Sequence, residues 1–132
     1  MKPCIVIPVF NHGSAAGRTV AALARYKLTI IVVNDGSDRK TTEILRRISE
    51  ENDLVTLVER SENGGKGAAV MTGLLAASDR AFSHALQIDA DGQHDTDDVE
   101  RFLAASRADP EAMVVGRPIF DETVPRGRLI GR

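Results

Sequence analysis

Aromatic residues and cysteine are scarce in this sequence. Its 132 residues include no Trp, one Tyr, four Phe and one cysteine, Cys4. So few aromatic rings argue against the stacking platform on which single-stranded nucleic acids bind. One cysteine excludes an internal disulfide and a zinc site made of several cysteines. Because Cys4 falls within an apolar run, we expect it to be a core residue and not a nucleophile.

The sequence also lacks an excess of charge of one sign. It has 17 basic and 19 acidic residues, and its formal net charge is −2. No overall positive field is therefore available to hold a polyanion, and we expect no nucleic-acid partner.

Long apolar runs are missing as well. The longest, residues 28–33, is interrupted by Thr29 and is far shorter than the roughly 20 residues needed to cross a bilayer. The start of the chain leads directly into a strand-like segment, without the cleavage site of a signal peptide. We therefore expect a cytoplasmic chain. Membrane contact, peripheral at the inner face, is expected only through parts of a longer parent chain.

Several catalytic and nucleotide-binding motifs are absent. The loop at residues 63–67 contains a lysine, but it is no Walker A loop because neither Ser nor Thr follows that lysine. The first apolar run is not followed by G-x-G-x-x-G, which argues against a nicotinamide or flavin site. Residues 10–14 also lack the Arg-containing, Gly-rich loop that a sugar-phosphate nucleotidyltransferase would need there. No Ser/His/Asp set can be argued from spacing.

What the sequence does contain is a regular alternation of two hydrophobic periods. Apolar runs typical of buried strands alternate with segments of helical periodicity. Strands are predicted over 4–9, 28–33, 54–58, 84–88 and 112–115, and helices over 14–25, 41–51, 66–78 and 96–108. This order predicts an α/β fold with a mostly parallel sheet and helices on both faces, a three-layer α/β/α sandwich.

The third predicted helix has several apolar residues on one face. Val70, Met71, Leu74 and Leu75 lie on one side of it at helical spacing. We expect this side to face the sheet.

Polar and glycine-rich clusters follow the predicted strands, whereas the opposite ends are plain. The clusters are residues 10–13, 34–38, 61–67 and 89–95. Ligands of open α/β sheets bind outside the carboxyl ends of the strands. This asymmetry predicts a binding site at that edge.

Two carboxylates, Asp89 and Asp91, follow the fourth predicted strand. At a strand end where the chain turns, they can converge on one hard cation such as Mg²⁺ or Mn²⁺. The segment 89–100 also has acidic residues at the spacing of an EF-hand loop. The glycine position of that loop is His94, however, and a strand precedes it, which argues against a calcium sensor. Three further acids, Asp95, Asp97 and Asp98, fit the start of a helix.

Three other polar residues each leave two interpretations open. Asp35 either stabilises the turn before Gly36 or accepts a hydrogen bond from a base N–H or a ribose hydroxyl. Lys66, in a Gly-rich loop before a helix, is either a surface lysine or an anion ligand. The loop histidines His12 and His94 are either turn residues or catalytic bases. Ser37 or Asp38 is expected to cap the second helix.

Four segments, residues 7–11, 33–37, 63–67 and 88–94, carry a family resemblance. They read Ile-Pro-Val-Phe-Asn, Val-Asn-Asp-Gly-Ser, Asn-Gly-Gly-Lys-Gly and Ile-Asp-Ala-Asp-Gly-Gln-His. Together, in this order and each after a predicted strand, they resemble family 2 glycosyltransferases of the GT-A (Rossmann-like) fold. The dolichyl-phosphate mannosyltransferase-like branch is the most similar. The resemblance covers about Pro3 to Arg117.

The resemblance implies an enzyme that transfers a sugar from a nucleotide diphosphate-sugar donor to a lipid phosphate or a glycan, with inversion and with Mg²⁺ or Mn²⁺. It places the base pocket at Pro8, Phe10 and Asn11, with Asp35 at the nucleobase and Lys66 near the nucleotide. It further places Asp89 at the ribose or the metal, Asp91 at the metal, and Gln93 and His94 beside the sugar.

Two departures from the family pattern matter. Asn34 stands where many members have a first aspartate. The family's catalytic domain is also longer, so we interpret residues 1–132 as one domain, the donor-binding part, truncated at its C-terminus. The catalytic base is then expected beyond Arg132. We expect the chain to fold but not to transfer sugar, and an apolar surface beside residues 117–132 to favour self-association. The alternatives are a non-catalytic nucleotide- or metal-binding module and a sugar-phosphate nucleotidyltransferase.

Overall fold

The computed structural model describes residues 1–92 and 94–117. In this part of the chain four strands alternate with four helices, which confirms the predicted α/β order. The elements are β1 (Pro3–Val9), α1 (Gly13–Leu23), β2 (Ile30–Asp35), α2 (Arg39–Glu51), β3 (Val55–Arg60), α3 (Lys66–Asp79), β4 (His84–Gln87) and α4 (Val99–Ala108). Single 3₁₀ turns at Ala24–Tyr26 and Thr96–Asp98 follow α1 and precede α4.

The four strands form one parallel sheet in the order β3-β2-β1-β4. The register pairs Ile7 with Val32 and Val33 with Val58. All six residues of β2 are buried. This strand lies between two others and has both faces covered by helices, which is why its first four residues, 30–33, are all β-branched.

The sheet separates two apolar cores, as expected of a three-layer sandwich. Ile5, Ile7 and Val32 face one core, which α1, α2 and α4 complete. Cys4 and Val6 face the other core, which α3 covers. Cys4 is fully buried, in agreement with its predicted role in the core.

The predicted orientation of α3 is wrong. Met71 and Leu75 are 56% and 58% exposed, and Leu74 also points outward. The buried residues of α3 are small: Ala69, Gly73, Ala76 and Ala77. The reason is close packing, because a Cβ atom at Gly73 would lie 2.3 Å from Cγ1 of Val6 in β1. The helix packs so close to the sheet that only the side with small residues fits against it.

The predicted fifth strand, residues 112–115, is also wrong. Met113 is 90% exposed, and none of these residues pairs with a strand in the part of the chain that the structure describes. A strand needs a hydrogen-bonded neighbour, and apolar character alone does not supply one. The segment is attached instead through Pro110, whose carbonyl oxygen lies 2.9 Å from His84 Nε2. An apolar surface is also expected beside residues 117–132, but of these residues the structure describes only Arg117.

No helix among the described residues is long and apolar enough to span a membrane.

Candidate functional site

A cavity of about 380 Å³ opens at the carboxyl ends of the strands, where the sequence predicts a site. It brings together six of the predicted site residues: Pro8, Phe10, Asp35, Lys66, Asp89 and Asp91. Two further polar residues line it: Asn63, which the sequence did not indicate as a site residue, and His12, for which the sequence left two interpretations open. The cavity therefore combines an apolar wall from the end of β1 with charged groups from three loops.

The predicted residue Asn11 does not line this cavity. Its backbone is left-handed, with φ at 56°, a conformation that Asn tolerates better than most residues. Its N–H donates to Ser37 Oγ at 3.1 Å, and its Oδ1 accepts from the Asp38 N–H at 2.8 Å. Asn11 thus joins the loop after β1 to the loop after β2. Asp38 caps α2, as predicted, by accepting from the Thr41 N–H.

Asp35 ends β2, and its carboxylate is buried. Oδ1 accepts from Arg60 Nε at 2.9 Å and from the Gly64 N–H at 3.0 Å. Oδ2 accepts from Asn63 Nδ2 at 3.1 Å and from the Gly65 N–H at 3.0 Å. A carboxylate has about four lone-pair sites, and all are used here. The prediction that Asp35 meets a nucleobase stays a prediction, and such a contact requires one of these donors to move.

Arg60 is a site residue that sequence reasoning missed. It ends β3 and is held between Asp35 and Thr72 Oγ1 of α3. The available signal was its position, because a basic residue directly before a Gly-rich loop can neutralise an acid on the neighbouring strand end. Gly36 allows the two loops to meet, since its φ is +65° and a Cβ atom there would lie 2.3 Å from the Asn63 nitrogen.

Asp89 is the centre of a second charged cluster. Its Oδ1 lies 2.6 Å from Lys66 Nζ and accepts from Gln87 Nε2 at 2.7 Å. Its Oδ2 lies 3.4 Å from His94 Nε2. The Asp89 N–H donates to His94 Nδ1 at 3.2 Å, so the neutral His94 ring carries its proton on Nε2, towards the carboxylate.

These partners hold the pKa of Asp89 well below its ordinary value. The hydrogen bond from His94 has the largest effect, and those from Lys66 and Gln87 add to it. Burial of the carboxyl acts in the opposite direction, because it penalises the charged form. Asp89 is therefore ionised at neutral pH and able to bind a cation.

Asp89 and Asp91 both line the cavity and offer the hard oxygen donors that Mg²⁺ and Mn²⁺ prefer. No group of three or more His, Cys, Asp or Glu residues suited to a metal ion is found in residues 1–92 and 94–117. This donor set fits a cation that takes its remaining oxygens from substrate phosphate and water. The predicted site residue Gln93 lies outside the described residues.

The loop that carries Asp91 is attached to α1 and to the turn after it. Thr19 Oγ1 donates to the Ala90 carbonyl, and Tyr26 Oη donates to the Thr96 carbonyl. Arg25 pairs with Asp97. Asp95 caps the turn before α4, as predicted, by accepting from the Asp97 N–H. This loop follows a strand, β4, whereas the loop of an EF-hand lies between two helices.

Comparisons with known proteins show which family this chain is similar to. The family model described as "Glycosyl transferase family 2" matches residues 4–129. A dolichyl-phosphate beta-glucosyltransferase of Trichomonas vaginalis is 32% identical over 126 residues, with 84% of this chain and 36% of the relative covered. A UDP-N-acetylglucosamine–dolichyl-phosphate N-acetylglucosaminyltransferase of Methanococcus voltae is 30% identical over 128 residues, with 87% and 51% covered. The chain thus spans between about a third and a half of these relatives.

A solved structure agrees with the fold. The mannosyltransferase PcManGT of Pyrobaculum calidifontis, in complex with GDP-Man and Mn²⁺, superposes with a TM-score of 0.59 at 27% sequence identity. The match covers 68% of this chain and 27% of that one. The predicted GT-A arrangement is therefore confirmed.

Proposed function

The chain belongs to glycosyl transferase family 2, and we propose that its cavity binds the nucleotide diphosphate part of a sugar donor together with a divalent cation. The observation that carries this proposal is the convergence of Asp89, Asp91 and Lys66 with the apolar wall of Pro8 and Phe10 in one cavity. A nucleotide diphosphate has the same two parts, a flat apolar base and a charged diphosphate.

The base is proposed to lie between the end of β1 and the loop after β3. Phe10 is 44% exposed at the cavity and offers a ring face for stacking. Asn11 and Asp38 hold the β1 and β2 loops together beside it. Asp35 contributes to the base pocket by holding the loop after β3 in place. It would also accept a hydrogen bond from a base N–H that replaces one of its four present donors.

The diphosphate is proposed to lie between Lys66, at the start of α3, and the two aspartates. The positive end of the helix dipole and the lysine both favour negative charge there. The carboxylates of Asp89 and Asp91 would hold the cation. When bound, a divalent cation neutralises the charge that develops on the diphosphate as it leaves the sugar.

The sugar is proposed to lie beside His94, whose ring faces Oδ2 of Asp89, whereas Lys66 contacts Oδ1. The role of Gln93 beside the sugar stays a prediction. An acceptor hydroxyl would need a base, whereas a lipid phosphate would not. The names of the two dolichyl-phosphate relatives support a lipid phosphate, and GDP-Man in the solved structure supports a nucleotide-sugar donor. A lipid acceptor favours a place at the inner face of a membrane.

Calorimetric titration of the chain with GDP-mannose, UDP-glucose and UDP-N-acetylglucosamine tests this proposal. With Mn²⁺ present we expect at least one donor to bind, and we expect a chelator to abolish most of that affinity. Sugar release from the bound donor identifies an enzyme, whereas the test that separates a non-catalytic module needs a longer parent chain, because this chain alone is not expected to transfer sugar. Release of pyrophosphate from a nucleoside triphosphate and a sugar phosphate identifies a nucleotidyltransferase. Absence of donor binding at millimolar concentration contradicts the proposal.

A further inference from the structure

Lys66 occupies a position that a bound cation would compete for. Its Nζ atom lies 2.6 Å from Oδ1 of Asp89. The same oxygen also accepts from Gln87, so both of its lone-pair sites are used. A divalent cation coordinated by this oxygen would be repelled by an ammonium group at hydrogen-bond distance from it.

Of the two partners, Lys66 is the one free to move. Its side chain is 60% exposed, whereas that of Asp89 is 22% exposed and is also held by Gln87 and His94. Lysine has a flexible four-carbon stem and three rotatable donors. Lys66 also begins α3, where a phosphate group would meet free backbone N–H groups.

We propose that Lys66 is an internal counter-cation, which pairs with Asp89 while the cavity is empty and turns to the diphosphate when the nucleotide binds. This inference rests on the proposed function, since it assumes that the cavity takes a nucleotide diphosphate and a divalent cation. Without nucleotide, the ion pair weakens cation binding. With nucleotide, the diphosphate attracts Lys66 and frees the Asp89 oxygen.

The consequence is coupling between the two ligands. If the nucleotide strengthens cation binding by removing Lys66, the cation must strengthen nucleotide binding by the same factor. Part of that coupling would then depend on the charge of Lys66 and would be lost when this charge is removed.

The test is the affinity for Mn²⁺ alone, measured from the electron paramagnetic resonance signal of free Mn²⁺. The variants are Lys66→Met and, as the matched control, Lys40→Met, which removes the same charge from an exposed position on α2. The signal from this site is defined as the part of Mn²⁺ binding that Asp91→Asn removes. Each protein is then measured again with saturating GDP or UDP.

We expect Lys66→Met to tighten nucleotide-free Mn²⁺ binding by about two- to fivefold, the range for an ion pair with one exposed partner. Lys40→Met should leave it unchanged. The factor by which nucleotide strengthens Mn²⁺ binding should be smaller in Lys66→Met than in the unaltered chain.

Unchanged or weaker nucleotide-free Mn²⁺ binding in Lys66→Met overturns the inference, even where nucleotide and Mn²⁺ bind as proposed. Equal tightening in Lys40→Met overturns it as well, because the effect is then one of net charge. If neither Mn²⁺ nor nucleotide binds to any of the proteins, the proposed function itself is wrong and the inference goes with it.

Discussion

Substituting Asn for Asp35 should unfold the chain far more easily than its small change in shape suggests. Asn keeps one acceptor oxygen but replaces the other with an NH₂ group. In the structure each oxygen of Asp35 accepts from two donors. Whichever way the amide is turned, two donors face another donor, and Arg60 loses its counter-charge.

The expected loss of stability follows from the buried donors that are left without an acceptor. An unsatisfied buried donor costs about 1–3 kcal/mol, and removing one partner of a fully buried ion pair costs about 3–5 kcal/mol. Arg60 is partly exposed and Asn63 keeps a second acceptor in the Asp35 carbonyl, so these costs are not fully incurred. We expect the free energy of unfolding to fall by about 2–4 kcal/mol, a large share of the roughly 5–15 kcal/mol typical of a domain.

Urea denaturation followed by circular dichroism measures this loss. At a slope of about 2 kcal/mol per molar urea, the middle of the usual range, the midpoint should fall by about 1–2 M. Asp53→Asn is the matched control, because Asp53 is exposed and the substitution removes the same charge. A shift in Asp35→Asn no larger than that of the control would refute the reasoning, since the carboxylate would then not organise the loop after β3.

Three further predictions concern the core and the Asp89 cluster. Gly73→Ala should destabilise the chain by about 1–3 kcal/mol because its Cβ meets Val6, whereas Gly67→Ala, in open space on the same helix, should be neutral or stabilising in the same denaturation assay. Burial raises the pKa of the Cys4 thiol to about 11, so iodoacetamide at about pH 8 should modify it only after unfolding, and rapid labelling of the folded chain would contradict its place in the core. The pKa of Asp89 is lowered in the folded chain, so its contribution to stability is complete above the ordinary aspartate pKa of about 4 and is lost as the pH falls through the lowered value. The stability difference between the unaltered chain and Asp89→Asn should therefore shrink on acidification in urea titrations, and a constant difference down to about pH 3 would contradict the assignment.

The sheet and its functional edge could be predicted from the sequence because both depend on local signals. The apolar run of β2 is buried throughout, as its β-branched residues indicate. The Gly, Asp and Asn clusters after the strands meet at one edge because parallel strands end on the same side.

Features that depend on distance and partners could not be predicted in the same way. In α3 the large residue Leu75 faces outward and the small Gly73 faces β1, because the helix packs very close to the sheet. Helical periodicity predicts which side of a helix is apolar. It does not indicate how closely the helix packs against the neighbouring layer. The pairing of Asp35 with Arg60 joins residues 25 positions apart on neighbouring strand ends, which no local pattern reports.

The most direct test of the proposed site is calorimetric titration of Asp91→Asn with a nucleoside diphosphate, with and without Mn²⁺. Asp53→Asn serves as the control, and urea denaturation confirms that both variants are folded. We predict that the Mn²⁺-dependent part of the affinity disappears in Asp91→Asn and persists in Asp53→Asn. Mn²⁺-dependent affinity that is unchanged in folded Asp91→Asn would contradict the placement of the cation and diphosphate at this edge of the sheet.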